Sequence, residues 1–136
     1  MEYNDTNRGT VQAPERAHQF ISFEGLTFGT ISPTDVDGMI EHRGAYVFFE
    51  WKLAGKDLPR GQELALTRLV DDLRRARRHA VLFVCEHTVK DPREDVRGAD
   101  SIVRRVYWDG RWHSGTGKTV REMTRRFMAF AEACGS

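Results

Sequence analysis

Cysteine is scarce in this chain. Cys85 and Cys134 are the only two, too few for a disulfide framework, and Cys85 lies inside an apolar run. Free buried thiols in a reducing cytoplasm are therefore expected. No stretch approaches the roughly 20 apolar residues that cross a bilayer, so no membrane partner is expected. The opening "MEYNDTNRGTVQAPER" lacks the apolar core of a signal peptide, which again points to the cytoplasm. A surplus of one charge is missing as well. The formal net charge is +1, so nothing global marks a polyanion partner, although local basic patches can still hold phosphate.

The 136 residues suffice for one domain with a core, and 40% apolar with 30% charged residues describes an ordinary globular protein. Residues 1–17 are polar, carry Pro14 and show no sustained period, so they read as a flexible N-terminal tail before a single domain over 18–136. The second half of "FISFEGLTFGTI" (20–31) could form a short strand, and Ser32-Pro33-Thr34 breaks whatever precedes it.

Val36–Glu41 and Tyr46–Lys52 predict two strands of a hairpin turning through "HRGA". Leu66, Leu69, Val70 and Leu73 repeat at helical spacing, which predicts an amphipathic helix from Arg60 to about Arg77. "AVLFVC" (80–85) is apolar throughout, as in a central strand covered on both faces. Ile102–Trp108 and Arg111–His113 flank a strong Asp109-Gly110 turn. Thr119 with Glu122 forms a capping box that opens a helix with Val120, Met123, Phe127 and Phe130 on one face. The expected fold is α/β: a mixed central sheet flanked by helices.

Within the second strand, "YVFFEWK" places Glu50 and Lys52 among large apolar residues. Two positions apart on a strand, both side chains leave the same face. A short antiparallel turn returns Glu50 to the level of Asp37, close enough for the two carboxylates to share a hard cation such as Mg²⁺. Asp35 is a rival for Asp37, but it falls in the break while Asp37 begins the apolar strand. A surface Glu50–Lys52 ion pair, with both aspartates as turn formers, is the plainer alternative. Gln62 falls on the helix face shared with Leu66, Leu69 and Leu73, where a polar group needs a partner; a role near the helix start is the alternative.

An aspartate opening one strand, an E-x-K closing the next, and a helix after it resemble the PD-(D/E)xK (restriction-endonuclease-like) nuclease superfamily. "ISPTDVDG" followed by "FFEWK" is similar to small phage-encoded members, over about residues 30–87. The resemblance implies a restriction-endonuclease-like core and Mg²⁺- or Mn²⁺-dependent hydrolysis of DNA, with branched or recombination intermediates among the substrates. It implies Asp37, Glu50 and the Trp51 backbone carbonyl as metal ligands, Lys52 as the residue that activates water, and Gln62 as the glutamine of RecB-like members. If the protein is phage-encoded, its compartment is the bacterial host cytoplasm. Pro33 stands four positions ahead of Asp37, where the family has proline adjacent.

Arg74, Arg75, Arg77 and Arg78, together with Arg104 and Arg105, are the candidate contacts to a DNA backbone; solvated helix and strand faces would look the same. A non-catalytic nucleic-acid- or protein-binding module on the same fold is the rival function, and whether the protein acts as a homodimer is open. "GTGKT" (115–119) lacks the first glycine of a phosphate-binding loop, since Trp112 holds that position, and reads as a loop before a capped helix. Trp108 and Trp112 could stack on bases, although cross-strand packing is the commoner use.

Overall fold

The computed structural model describes residues 20–135; the tail expected over 1–17 lies outside them. The chain divides into two units, Met1–Pro33 and Thr34–Ser136, at the Ser32-Pro33-Thr34 break. In the first unit, the apolar run does not become a strand. Phe28 and Ile31 make one isolated antiparallel bridge, and Gly25 and Gly29, at φ 82° and 64°, turn the chain too often for a ladder to extend.

The second unit runs β1 (Gly38–His42), β2 (Ala45–Leu53), α1 (Arg60–Arg75), β3 (His79–His87), β4 (Ile102–Trp108), β5 (Arg111–Ser114) and α2 (Val120–Ala133). The five strands form one sheet in sequence order. Only β2 and β3 are parallel; the other neighbours are antiparallel. A parallel pair needs a long crossover, and α1 supplies it. Both hairpins turn on two residues of positive φ, Arg43-Gly44 (53° and 80°) and Asp109-Gly110 (56° and 76°). That pairing matches the twist of the flanking strands.

Strand alternation sorts the core into two layers. Phe48, Ala80, Leu82 and Tyr107 meet Leu66 and Val70 of α1 on one face. Val47, Phe49, Val81, Phe83 and Val103 meet Val120, Phe127 and Ala131 of α2 on the other. The apolar "AVLFVC" run is thus explained: β3 is sandwiched between both helices. Trp108 and Trp112 separate between the layers, Trp108 against Phe127 and Phe130, Trp112 against Tyr107. They are core aromatics on opposite faces and do not form one stacking platform.

Three expectations shift. Leu69 is 39% exposed, because Val70 is the residue that points into the sheet. Phe130 is likewise half out of the core. Cys85 is buried, with burial pushing its thiol pKa up to about 12, but Cys134 is exposed. Helix α1 ends at Arg75, where the chain reverses: the Arg77 N–H donates to the Arg74 carbonyl and the Arg78 N–H to the Leu73 carbonyl, with Arg77 at φ 66°. This is a Schellman motif with arginine where glycine is usual. At α2, Thr119 Oγ1 accepts the Glu122 N–H at 3.2 Å, as the capping box requires. Among the described residues no helix is long and apolar enough to cross a membrane.

Candidate active site

The hairpin register ends at Gly38↔Phe49, so Asp37, one residue before β1, arrives beside Glu50. The Asp37 N–H donates to Glu50 Oε2 at 2.8 Å, and the Trp51 N–H donates to Asp37 Oδ2 at 2.9 Å. Each carboxylate supplies the acceptor that the ladder no longer offers past its last pair. The N–H and C=O of a strand residue leave by the same edge, so the Trp51 carbonyl faces the side that Asp37 occupies. Trp51 itself is anchored: its ring stacks on Phe49, and its Nε1–H donates to Ser101 Oγ at 2.9 Å.

Glu50 shares the α1 face with Phe48 and is completely buried. Gln62, in the first turn of α1, reaches down with Nε2 to Glu50 Oε1 at 2.7 Å and to the Asp35 carbonyl at 3.0 Å. The Gln62 side chain therefore finds its partner in the carboxylate itself. Asp35 meets Gln62 through its main chain, whereas Asp37 places its carboxylate against β2, which separates the two rival aspartates. Burial pushes the Glu50 pKa above its ordinary value of 4.5; the Asp37 N–H and the Lys52 charge act against this, and the Asp37 and Asp35 charges add to it.

Lys52 lies on the same face two residues further and is half-buried. Its neighbour in register on β3 is Glu86, but Glu86 Oε2 lies 3.6 Å from Arg104 Nε. The surface Glu50–Lys52 ion pair does not form: Glu50 is buried on Gln62 and the Asp37 N–H instead.

The two arginine groups end in different places. The β3–β4 register shifts between Val84 and Cys85, with Val84 opposite Arg105 and Cys85 opposite Val103. Arg104 is the extra residue of a β-bulge, which aims it to the same side as Arg105. Both Nη2 atoms converge on Asp57 Oδ1, at 3.0 Å from Arg104 and 2.8 Å from Arg105. The row Glu50–Val84–Arg105 runs straight across three strands, which sets Arg105 roughly 10 Å from Glu50 at the backbone.

Arg74, Arg75, Arg77 and Arg78 sit at the other end of α1, roughly 20 Å along its axis from Gln62. Arg74 pairs with Asp109 at 2.6 Å and lies over the Trp108 ring, and Arg75 pairs with Asp72 at 2.6 Å. The Arg78 side chain packs on Gly44, and Arg77 is exposed. These four are not brought to the carboxylates.

Asp57, Glu63 and Glu86 are the surrounding residues that sequence reasoning missed. Nothing in a sequence marks a bulge on β4, so nothing marks the acids that the redirected arginines meet. "GTGKT" has a packing explanation: a Cβ on Gly115 would sit 1.9 Å from the Val103 carbonyl oxygen. No family model, curated protein or solved structure matches this chain.

Proposed function

We propose that this protein is a metal-dependent deoxyribonuclease with a restriction-endonuclease-like core, hydrolysing DNA phosphodiester bonds at the end of β2. The observation that carries the reading is the interlock of Asp37 and Glu50: two carboxylates held against each other's strands by hydrogen bonds of 2.8 and 2.9 Å, with Lys52 on the Glu50 face. The α1 glutamine on Glu50 and the placement of α1 between the parallel strands support the same superfamily reading.

The donor set suits a hard divalent cation. Among the described residues no group of three or more His, Cys, Asp or Glu side chains could hold a metal, but Mg²⁺ is commonly held by one or two carboxylates and keeps its waters for phosphate. Asp37, Glu50 and the Trp51 carbonyl would hold it, and each Glu50 oxygen keeps a lone pair beyond its one protein donor. Burial and neighbouring negative charge raise the Glu50 pKa, the strain that a cation relieves. Bound there, Mg²⁺ or Mn²⁺ would polarise a phosphate oxygen and lower the pKa of a coordinated water. Lys52 orients the attacking water and offsets the negative charge that develops on the phosphoryl oxygens. Gln62 fixes the Glu50 rotamer.

The rival reading, a non-catalytic nucleic-acid- or protein-binding module, draws on one observation: both Glu50 oxygens already have protein donors. Labelled linear, circular, branched and single-stranded DNAs, incubated with and without Mg²⁺, test the choice. Cleavage that requires the metal and disappears in Asp37→Asn and Lys52→Ala is expected. No cleavage of any substrate, with no Mn²⁺ binding at the carboxylates, would leave the binding module.

A further inference from the structure

Asp57 Oδ1 accepts three N–H donors at once: Arg104 Nη2 at 3.0 Å, Arg105 Nη2 at 2.8 Å and the Leu58 backbone N–H at 2.9 Å. One oxygen ringed by two guanidinium groups and an amide is the environment of a bound oxyanion. We propose that this is a seat for a backbone phosphate of the DNA strand, which the Asp57 carboxylate fills in the free protein and the incoming phosphate displaces. The inference rests on the nuclease reading for the identity of the anion.

The arginines are held in place by groups other than Asp57. Arg105 lies 4.1 Å over the Trp112 ring and 3.2 Å from Glu63 Oε1, and Arg104 Nε is 3.6 Å from Glu86 Oε2. Removing Asp57 therefore leaves two oriented heads. Asp57 itself is easily displaced. Its side chain is 58% exposed, and it stands in the loop between β2 and α1, five residues after Lys52. Its carboxyl pKa is lowered by the Leu58 N–H and by both arginines, so the occupant is an anion. Arg105 shares the sheet row of Glu50, so a phosphate in the seat would lie alongside the carboxylates.

A substrate mimic that must be expelled weakens binding, and its removal strengthens it. The test measures the affinity of the full chain for a short labelled DNA duplex in EDTA at fixed ionic strength. Asp57→Asn is expected to bind roughly tenfold tighter, the size of one charge-assisted contact recovered. Arg104→Gln should weaken binding in the native chain and cancel the gain when added to Asp57→Asn. Glu132→Gln, an equal charge change at an exposed site on α2, should leave affinity unchanged. An Asp57→Asn chain that binds no tighter, or whose gain survives Arg104→Gln, overturns the seat; a lower melting temperature without a gain would show that Asp57 only ties its loop to β4. The two readings fail separately. Tighter binding by Asp57→Asn without Mg²⁺-dependent cleavage keeps the seat and removes the nuclease, whereas cleavage with unaltered Asp57→Asn affinity does the reverse.

Discussion

Asp37 and Glu50 each hold the other's strand. Glu50 Oε2 takes the Asp37 amide at 2.8 Å, and Asp37 Oδ2 takes the amide that follows Glu50 at 2.9 Å. The pair closes the open end of the hairpin while keeping two carboxylates together, Asp37 exposed and Glu50 buried beneath α1. Under the proposed nuclease reading, stability and chemistry draw on the same two side chains, and experiments on either will read both.

Glu50→Gln gives the clearest separation. If repulsion among carboxylates dominated, removing one charge would raise thermal stability. The structure argues for the opposite sign, because both Glu50 oxygens accept hydrogen bonds and a glutamine offers only one acceptor. Turning Gln62 over to accept would leave its contact with the Asp35 carbonyl unmade. The expected cost is about 1–2 kcal/mol from one unsatisfied buried donor. Glu50→Ala should cost about 3 kcal/mol or more, since it orphans both donors and leaves a cavity. Urea unfolding monitored by circular dichroism checks both; an unchanged midpoint for Glu50→Ala would show that the interlock contributes nothing.

The pH dependence has a definite direction. The folded-state pKa of Glu50 lies above its ordinary 4.5, so between those values the native state holds a proton that the unfolded state has released. Stability from this group is complete below about 4.5 and is lost as pH rises through the folded pKa. The wild-type advantage over Glu50→Gln should therefore grow on acidification toward 4.5, measured as the difference in melting temperature across pH. Mg²⁺, which binds the ionised carboxylate, should raise the melting temperature increasingly as pH rises through the folded pKa of Glu50, and have little effect near pH 4.5. A Mg²⁺ effect of equal size at both ends would place the cation elsewhere.

Arg77 occupies a left-handed backbone position, φ 66°, at the close of α1. A side chain there costs roughly 1 kcal/mol relative to glycine. Arg77→Gly is expected to raise the melting temperature by a few degrees. Duplex affinity measured on the same variant tests the far arginine cluster. A phosphate contact would shallow the salt dependence by about 0.9 in the log–log slope; an unchanged slope would show that Arg77 touches no phosphate.

Gly115 and Gly117 should respond differently to alanine. At Gly115 a Cβ would meet the Val103 and Arg104 carbonyl oxygens at 1.9 and 2.7 Å, whereas at Gly117 nothing lies within 4 Å and only the φ of 76° resists. Gly115→Ala is expected to cost about 3 kcal/mol or more, and Gly117→Ala about 1 kcal/mol. Comparable losses at both positions would contradict the close approach of the loop to β4.

Much of this architecture is legible in residue order alone. The apolar run of β2, the uniformly apolar β3, the α1 stripe, the Asp109-Gly110 turn and the Thr119 cap each express a local preference, and local preferences are what a sequence displays. The approach of Asp37 to Glu50 was legible because a short hairpin fixes its own register, and Gln62 comes near because a helix joined to the hairpin by a short loop cannot stray far. The direction of the arginines was settled only in three dimensions. A one-residue bulge between β3 and β4 turns Arg104 toward Arg105 and Asp57, and a Schellman close with two surface ion pairs keeps Arg74–Arg78 at the opposite end of α1. Pairing irregularities and partners more than 40 residues apart in the chain, such as Asp57 and Arg105, depend on how the strands assemble. No local run of residues encodes them.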